Sequence, residues 1–506
     1  MASLTTSFEE QDESLAGTDP LGFPGYAEQL DAARRESGLS EACLWGWAEI
    51  DGVKCALVVG DFGFLGGSMG VAVGEKVANA FDAARRVRLP VVTVTASGGA
   101  RMQEGMAALA QMASTTEAIR QHRDAGLAHV CLLTSPTTGG VYASFASLAD
   151  VVLAEPGATI GFAGPRVVAE LAGEAPPSDV HTAEFAFAHG LIDAIVERAD
   201  QPSAIATVLQ TLAGRERAGP PHPSEPKAPP SPAPPSTPPS GASPSAWERL
   251  QLVRDPARPK ARTILDALLS SSFELRGDRS GEPDDAAMVV RLGSLAGADT
   301  PVVAIGTDAS GDGRIRPQGF RKAIRAIKLA GRFGLPVLTI IDTRGADPLA
   351  SSEGGGIASA IAHTFLAMLE CPTPTLAAVT GEGGSGGALA LAAADRVVAW
   401  ENSVFSVIAP EGAAAILYRD AEKAPELADR LGITVPDLVR LGIVDEVVPE
   451  PAGWSQSGHE TAIAELGAVL SAELDRLVSS RNAVRRRRRT RKWRRLAGQL
   501  LGQKAD

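Results

Sequence analysis

The stretch Leu89-Pro90-Val91-Val92-Thr93-Val94-Thr95-Ala96-Ser97-Gly98-Gly99-Ala100-Arg101 decides the fold. Its β-branched run is short and bounded by Pro and Gly, which reads as a buried strand ending in a glycine turn. The run returns as Leu335-Pro336-Val337-Leu338-Thr339-Ile340, and Gly99-Ala100 returns as Gly345-Ala346, both 246 residues on (336 − 90 and 345 − 99). Working outward, Gly139-Gly140 returns as Gly386-Gly387 at 247, Ala149-Asp150 as Ala394-Asp395 at 245, and the segment from Glu155 at Glu401, again at 246. Shared composition would not hold register in this way, so the chain contains a duplicated domain.

Each copy alternates apolar strand candidates with helical patterns, the arrangement of an α/β fold with parallel strands. Val91–Thr95, His129–Leu133 and Val151–Ala154 are answered by Val337–Ile341, Thr375–Val379 and Arg396–Trp400. Val77–Arg86 and Gln318–Phe333 carry apolar residues at a helical period.

The 506 residues suffice for two or three domains, and 44% hydrophobic with 21% charged residues is a globular balance. Four cysteines, Cys43, Cys55, Cys131 and Cys371, form no C-x-x-C pair, which argues against a disulfide scaffold or a cysteine-rich zinc site. The seven histidines show no metal-ligand spacing, so no metal is expected. The polar, acidic start has no signal-peptide core and no apolar run is long enough to span a membrane, so a cytoplasmic setting is expected.

The organisation expected is an N-terminal extension (1–39), a first α/β domain (40–215), a linker (219–245), a second α/β domain (246–478) and a basic tail (479–506). The linker holds twelve prolines in 27 residues, which deny it a helix or a sheet ladder. The tail holds ten Lys and Arg between Arg481 and Arg495 with no acid, so the net −12 of the chain conceals about −22 elsewhere. Such a run reads either as an anion-binding tail or as a segment that docks on its own acidic body or stays unfolded. The acidic body repels nucleic acid, leaving the tail as the one place where it could bind.

The glycines concentrate where strands hand over to helices: Gly98-Gly99-Ala100, Gly139-Gly140, Gly345-Ala346 and Gly386-Gly387. Glycine there permits positive φ and close approach of a ligand to the backbone. Unpaired N–H groups at such a turn and at the following helix start can converge on one oxygen as an oxyanion hole. Close helix–strand packing also wants glycine, but pairs in corresponding places of both copies favour function. Gly66-Gly67-Ser68-Met69-Gly70 and Gly383-Gly384-Ser385-Gly386-Gly387 also satisfy G-x-S-x-G, a pattern that glycine-rich runs match by accident. There is no P-loop.

At these motifs the chain resembles the carboxyltransferase of acetyl-CoA carboxylase, with β-type and α-type subunits fused in that order. The β-type signatures are Gly74-Glu75-Lys76, Ser97-Gly98-Gly99-Ala100-Arg101-Met102-Gln103-Glu104-Gly105, Thr137-Thr138-Gly139-Gly140-Val141 and Ile160-Gly161-Phe162-Ala163-Gly164-Pro165-Arg166-Val167. The α-type ones are Phe273-Glu274-Leu275-Arg276-Gly277-Asp278-Arg279, Gly319-Phe320-Arg321-Lys322-Ala323, Gly381–Ala390 and Ser406-Val407-Ile408-Ala409-Pro410-Glu411-Gly412. The resemblance implies two tandem crotonase-like domains of repeated ββα units. It implies carboxyl transfer from carboxybiotin, carried on a separate biotin carboxyl carrier protein charged by a biotin carboxylase subunit, to the α-carbon of an acyl-CoA, acetyl-CoA first. By the family pattern, Gly98, Gly99 and Ala100 with Gly139 and Gly140 hold the thioester oxygen. Gly345 and Ala346 with Gly386 and Gly387 hold the ureido oxygen. Lys76, Arg101, Arg166, Arg321 and Lys322 become candidates for the CoA phosphates, and a homodimer or higher oligomer is expected.

The chain also departs from that pattern. The zinc ribbon of many β-type subunits is absent. The family's Thr-Pro-Gly-Ala-Tyr-Pro-Gly reads Thr343-Arg344-Gly345-Ala346-Asp347-Pro348-Leu349, and its Glu-Glu-Arg-Gly reads Ser352-Glu353-Gly354-Gly355. The first change is expected to place new charge beside the biotin-side hole. Two alternatives stay open on this ground: a biotin-independent acyl-CoA decarboxylase or hydrolase, and a non-catalytic assembly subunit.

Overall fold

A computed structural model describes residues 4–164, 168–169, 176–213, 244–296, 300–451, 454 and 456–501. Each half builds one mixed sheet. The first runs β1 (Ser7–Gln11), β2 (Cys43–Ile50), β3 (Val53–Gly60), β4 (Val91–Ser97), β5 (His129–Thr138), β6 (Val151–Ala154) and β8 (Ala194–Ile195), with β7 (Ile160–Gly161) added on β5. The second runs β9 (Leu269–Leu275), β10 (Met288–Leu295), β11 (Pro301–Thr307), β13 (Val337–Thr343), β15 (Thr375–Gly384), β16 (Arg396–Trp400) and β18 (Glu446–Val448), with β17 (Val404–Ser406) on β15. A small ribbon pairs β12 (Arg314–Ile315) with β14 (Gly345–Ala346).

Strands β1 to β3, and likewise β9 to β11, pair antiparallel; from β3 and β11 onward the pairing is parallel. The same succession occurs in both halves. The β2–β3 hairpin turns on Asp51-Gly52, both at positive φ (43° and 79°), the mirror-image turn that matches strand twist.

The helices that matter below are α1 (Tyr26–Ser37), α2 (Val71–Val87), α3 (Gln111–Asp124), α4 (Gly139–Tyr142), α5 (Pro317–Phe333), α6 (Ile357–Glu370), α7 (Ser385–Ala392), α8 (Gln456–Ser479) and α9 (Asn482–Leu500). Helix α5 starts with Pro317, whose missing N–H costs nothing there, and ends at Gly334 in the left-handed region. The outer face of the second sheet is closed by α8, with Leu466, Leu470 and Leu474 against Leu338, Leu376 and Val398. The inner faces meet: α3 packs on α6 and α7, and one buried apolar cluster joins Met112 and Ile119 to Ile361 and Phe365. The two halves of one chain therefore share a core.

The basic segment resolves into α9, which lies across α2 and α3 of the first half and also engages the second. Arg489 is buried, donating to both oxygens of Asp395 (2.8 and 3.0 Å) and to the carbonyls of Met368 and Cys371. Lys492 reaches Asp445, while Arg494 reaches Asp82 and Ser114, and Thr490 reaches Glu117. Trp493 is fully buried and donates its indole N–H to Ala394. Of the two readings of this run, docking on the acidic body is what these residues do. The linker lies outside the described residues except for its last two.

In the last turn of α3, His122 is held neutral in a buried site, its Nε2 3.1 Å from the Leu89 carbonyl and its ring edge-on to Phe81. Burial pushes its pKa down to about 4. The unfolded chain therefore takes up a proton near pH 6.5 that the folded chain refuses, and stability falls as pH drops through that window. Between about pH 7 and about pH 5 the wild-type chain is expected to lose about 2 kcal/mol more than His122→Gln. Thermal midpoints of both proteins across that range measure it; equal losses would remove His122 as the cause.

Candidate functional site

Strand β4 ends at Ser97, whose Oγ accepts the N–H of Gly99 (3.1 Å). Gly99 adopts φ 113°, which no L-residue holds comfortably. The segment Gly66–Gly70 straps this turn from below: Gly98 N–H donates to Gly66, Met69 N–H to Gly99, and Arg101 N–H to Met69. Ala100 N–H lies between those bonds and has no acceptor among the described residues. Strand β5 delivers Gly139 (φ 61°), whose N–H goes to the Phe162 carbonyl, and then Gly140, whose N–H opens α4 without an acceptor. A Cβ on Gly139 would stand 2.8 Å from Gly99 Cα, so these two turns meet only as glycines.

The second half repeats this construction. Thr343 Oγ1 accepts from Gly345 N–H (3.0 Å), Gly345 adopts φ 109°, and Asp347 N–H donates to Ile315. Ala346 N–H and Gly386 N–H are the pair with no acceptor among the described residues. The offset of 246 holds from Gly67 to Gly313 (both φ 63°), Met69 to Ile315, Ser97 to Thr343, Gly99 to Gly345 and Ala100 to Ala346. It also holds from Gly139 to Ser385, a non-glycine at φ 56°, and from Gly140 to Gly386. This corrects the offset of 247 read for Gly386-Gly387. Both helices begin one residue after a strand of equal length, so Gly140 matches Gly386, and Gly387 sits where the first half has Val141.

The two helix starts stand on either side of one side chain. Met112 at the start of α3 is buried there, its Sδ 3.4 Å from a Cβ placed on Gly140 and its Cε 2.8 Å from one placed on Gly386. A flexible thioether is thus the filler between the two halves' turns.

Three of the candidate phosphate cations are corrected. Arg101 is 1% exposed and committed to Glu41, Ser68 and Tyr26. Lys76 is buried, with its ammonium on Ser40 Oγ. Lys322 is buried on Asp284 and the Asp285 carbonyl. Arg101 and Lys322 cannot reach a phosphate without leaving an unpaired carboxylate behind, and Lys76 is sealed inside on a hydroxyl. Arg321 alone remains half-exposed, paired with Asp278, and Arg166 lies outside the described residues.

Of the new charges expected beside the biotin-side turn, Arg344 stands exposed next to Gly345, and only Asp347 is corrected. Asp347 points inward, 2% exposed, and accepts the Ser352 hydroxyl (2.6 Å). The G-x-S-x-G serine of the first half is engaged as well: Ser68 Oγ donates to Leu65 and accepts from Arg101 Nε, so it is part of the strap.

Residues that sequence reasoning missed include the hydroxyl caps Ser97 and Thr343, detectable as equivalents at the repeat offset. Glu353 is another. Its carboxylate, 4% exposed, crosses from the second half to accept the N–H groups of Phe162 and Ala163. Burial, with the Glu353 charge adding to it, pushes the Tyr142 hydroxyl above its ordinary pKa.

Fold and geometry together define a protein of two equivalent α/β halves, each with a glycine turn and a helix start whose backbone N–H groups lack acceptors among the described residues. Comparison with known proteins narrows this. The family model "Acetyl co-enzyme A carboxylase carboxyltransferase-like" matches residues 242–497. Acetyl-coenzyme A carboxylase carboxyl transferase subunits beta/alpha from Salinispora tropica is 44% identical, covering 99% of this chain and 90% of its own. The probable biotin-dependent acyl-coenzyme A carboxylase beta3 subunit of Mycobacterium bovis is 37% identical, covering 91% and 90%. The solved transcarboxylase 12S, with methylmalonyl-coenzyme A bound, is 20% identical over 95% of this chain and 89% of that one, with a TM-score of 0.38. The chain belongs to the acetyl-CoA carboxylase carboxyltransferase family.

Proposed function

We propose that this enzyme moves a carboxyl group from carboxybiotin on a carrier protein to the α-carbon of an acyl-CoA, acetyl-CoA giving malonyl-CoA, in a cytoplasmic multi-subunit carboxylase. The observation that carries this is the doubled donor pair: Ala100 and Gly140 N–H in one half, Ala346 and Gly386 N–H in the other, with Met112 beside both helix starts. Transfer creates negative charge at two oxygens, the thioester oxygen of the acyl group and the ureido oxygen of biotin. Two fixed pairs of unpaired amides meet that demand without needing a side-chain acid or base.

The first half takes the acyl thioester, its strap of Gly66–Gly70 holding Ala100 in place. The second half takes biotin, and its fit rests on Gly386 and Gly387, where added side chains would press on Met112 and Phe320. Bound biotin supplies the carboxyl group and a nitrogen that can take the α-proton. Arg321, half-exposed and paired with Asp278, takes a CoA phosphate. A biotin carboxyl carrier protein and a biotin carboxylase subunit are its partners, in a homo-oligomer built on chains whose halves already pack together.

Malonyl-CoA breakdown by the pure protein, with and without biocytin, tests this reading. Biocytin-dependent release of acetyl-CoA is expected. Breakdown indifferent to biocytin would favour a decarboxylase, and no turnover a non-catalytic subunit.

A further inference from the structure

We infer that the altered segment Asp347–Glu353 is a brace tying the two donor pairs together, with Glu353 as a positioning residue for the acyl-side pair. The inference rests on the donor pairs assigned above. It begins at Ala346, a donor of the second half. The next residue, Asp347, is anchored by its N–H to Ile315 (2.9 Å) and by its carboxylate to Ser352 Oγ (2.6 Å). That bond fixes the short helix Ala350–Gly354 and so the neighbouring Glu353.

Glu353 then crosses between halves. Its Oε1 accepts Phe162 N–H (2.8 Å) and Ala163 N–H (3.0 Å), and its Oε2 lies 3.0 Å from Phe162 N. Phe162 in turn accepts, through its carbonyl, the N–H of Gly139 (2.9 Å). Gly139 precedes Gly140, the acyl-side donor. From one donor to the other the path is therefore Ala346, Asp347, Ser352, Glu353, Phe162, Gly139, Gly140, with every link a peptide or a hydrogen bond.

The chemistry of the link suits a brace. The carboxylate binds two backbone N–H groups, a charge-assisted contact stronger than one between neutral groups. It is buried, so leaving those N–H groups without it costs the desolvation of each. His181 Nε2 stands 3.7 Å away and makes no hydrogen bond among the described residues, so Glu353 is the side chain that holds the Phe162 and Ala163 N–H groups. Two of the substitutions that set this segment apart from its family pattern, Asp347 and Ser352, place Glu353. The segment is thus a support for the site and not an erosion of it. It also makes the acyl-side pair complete only when the second half is docked.

Glu353→Gln and the milder Glu353→Asp, made in the full chain, test the brace by two readouts. The first is amide hydrogen exchange, which needs no turnover. In Glu353→Gln, Phe162, Ala163 and Gly139 are expected to exchange at least about tenfold faster than in wild type, while β4 and β13 keep their protection. The second is the kinetic split in biocytin-dependent malonyl-CoA turnover. Here kcat is expected to fall roughly 10- to 100-fold with KM for malonyl-CoA within about twofold, and Glu353→Asp to recover part of the loss. Unchanged exchange at Gly139 overturns the brace whatever the kinetics. So does a general rise in exchange over β4 and β13 in both variants, which marks Glu353 as a stability residue only. If wild type does not turn over malonyl-CoA, the functional reading fails by itself, and the exchange result still decides whether Glu353 positions Gly139.

Discussion

Gly140→Val is expected to lower biocytin-dependent turnover by roughly 10²–10³-fold, the size of losing one donor of an oxyanion hole. The position allows a clean test. Gly140 does not have positive φ, so an L-residue fits its backbone. A Cβ there would meet Met112 Sδ at 3.4 Å and Ala100 Cβ at 3.6 Å, ordinary contacts with a movable neighbour. The fold should therefore survive, while the valine methyl groups fill the space in front of Ala100 and Gly140 N–H. Gly99→Val would not separate these effects, because φ 113° and the Gly139 backbone at 3.3 Å make the substitution a folding defect. Turnover at single-substrate saturation and the thermal midpoint, measured on one preparation, check the prediction. Turnover near the wild-type value would remove Gly140 from the site.

Arg489→Ala is expected to cost about 3–5 kcal/mol of stability, because it strands a buried carboxylate. Asp395 is 2% exposed at its side chain and would keep only Arg485 at 3.4 Å and the Thr375 groups. The loss also loosens α9, the helix whose Thr490 and Arg494 hold Glu117 and Asp82 of the first half. Arg487→Ala, at an exposed position of the same helix, is the matched control and should change stability by less than about 0.5 kcal/mol. Denaturant midpoints of the two variants measure the contrast. Similar small shifts would mean that the basic helix is a passive passenger on the surface.

The repeat made much of this architecture legible. Six strand candidates fall inside β4, β5, β6, β13, β15 and β16, and both helical patterns lie inside α2 and α5. The parallel core strands are continuous apolar runs, which periodicity detects well. Strands β2 and β3 are joined by a hairpin and not followed by a helix, so the strand–glycine–helix pattern passes over them although Asp51-Gly52 is a strong hairpin signal. The glycine turns were legible because their chemistry resides in the backbone, and only glycine or its neighbours can supply it. The charged residues were not. Arg101, Lys76 and Lys322 resemble surface cations in a sequence, and only packing shows that each is sealed against a partner. The same holds for the basic run, whose Arg489 and Trp493 are core residues of the docked α9. Glu353 was invisible as a site residue because its partners are backbone groups some 190 residues away (353 − 163).

The account stands on one chain building one complete site from its two halves, and co-expression of Gly140→Val with Gly386→Val measures that directly. Each variant alone has one damaged donor pair. If the halves pair within a chain, no site in the mixed oligomer is whole, and biocytin-dependent turnover should stay at the level of the single variants. Recovery to about a quarter of wild-type turnover, as random pairing between chains of a symmetric dimer would give, would contradict it.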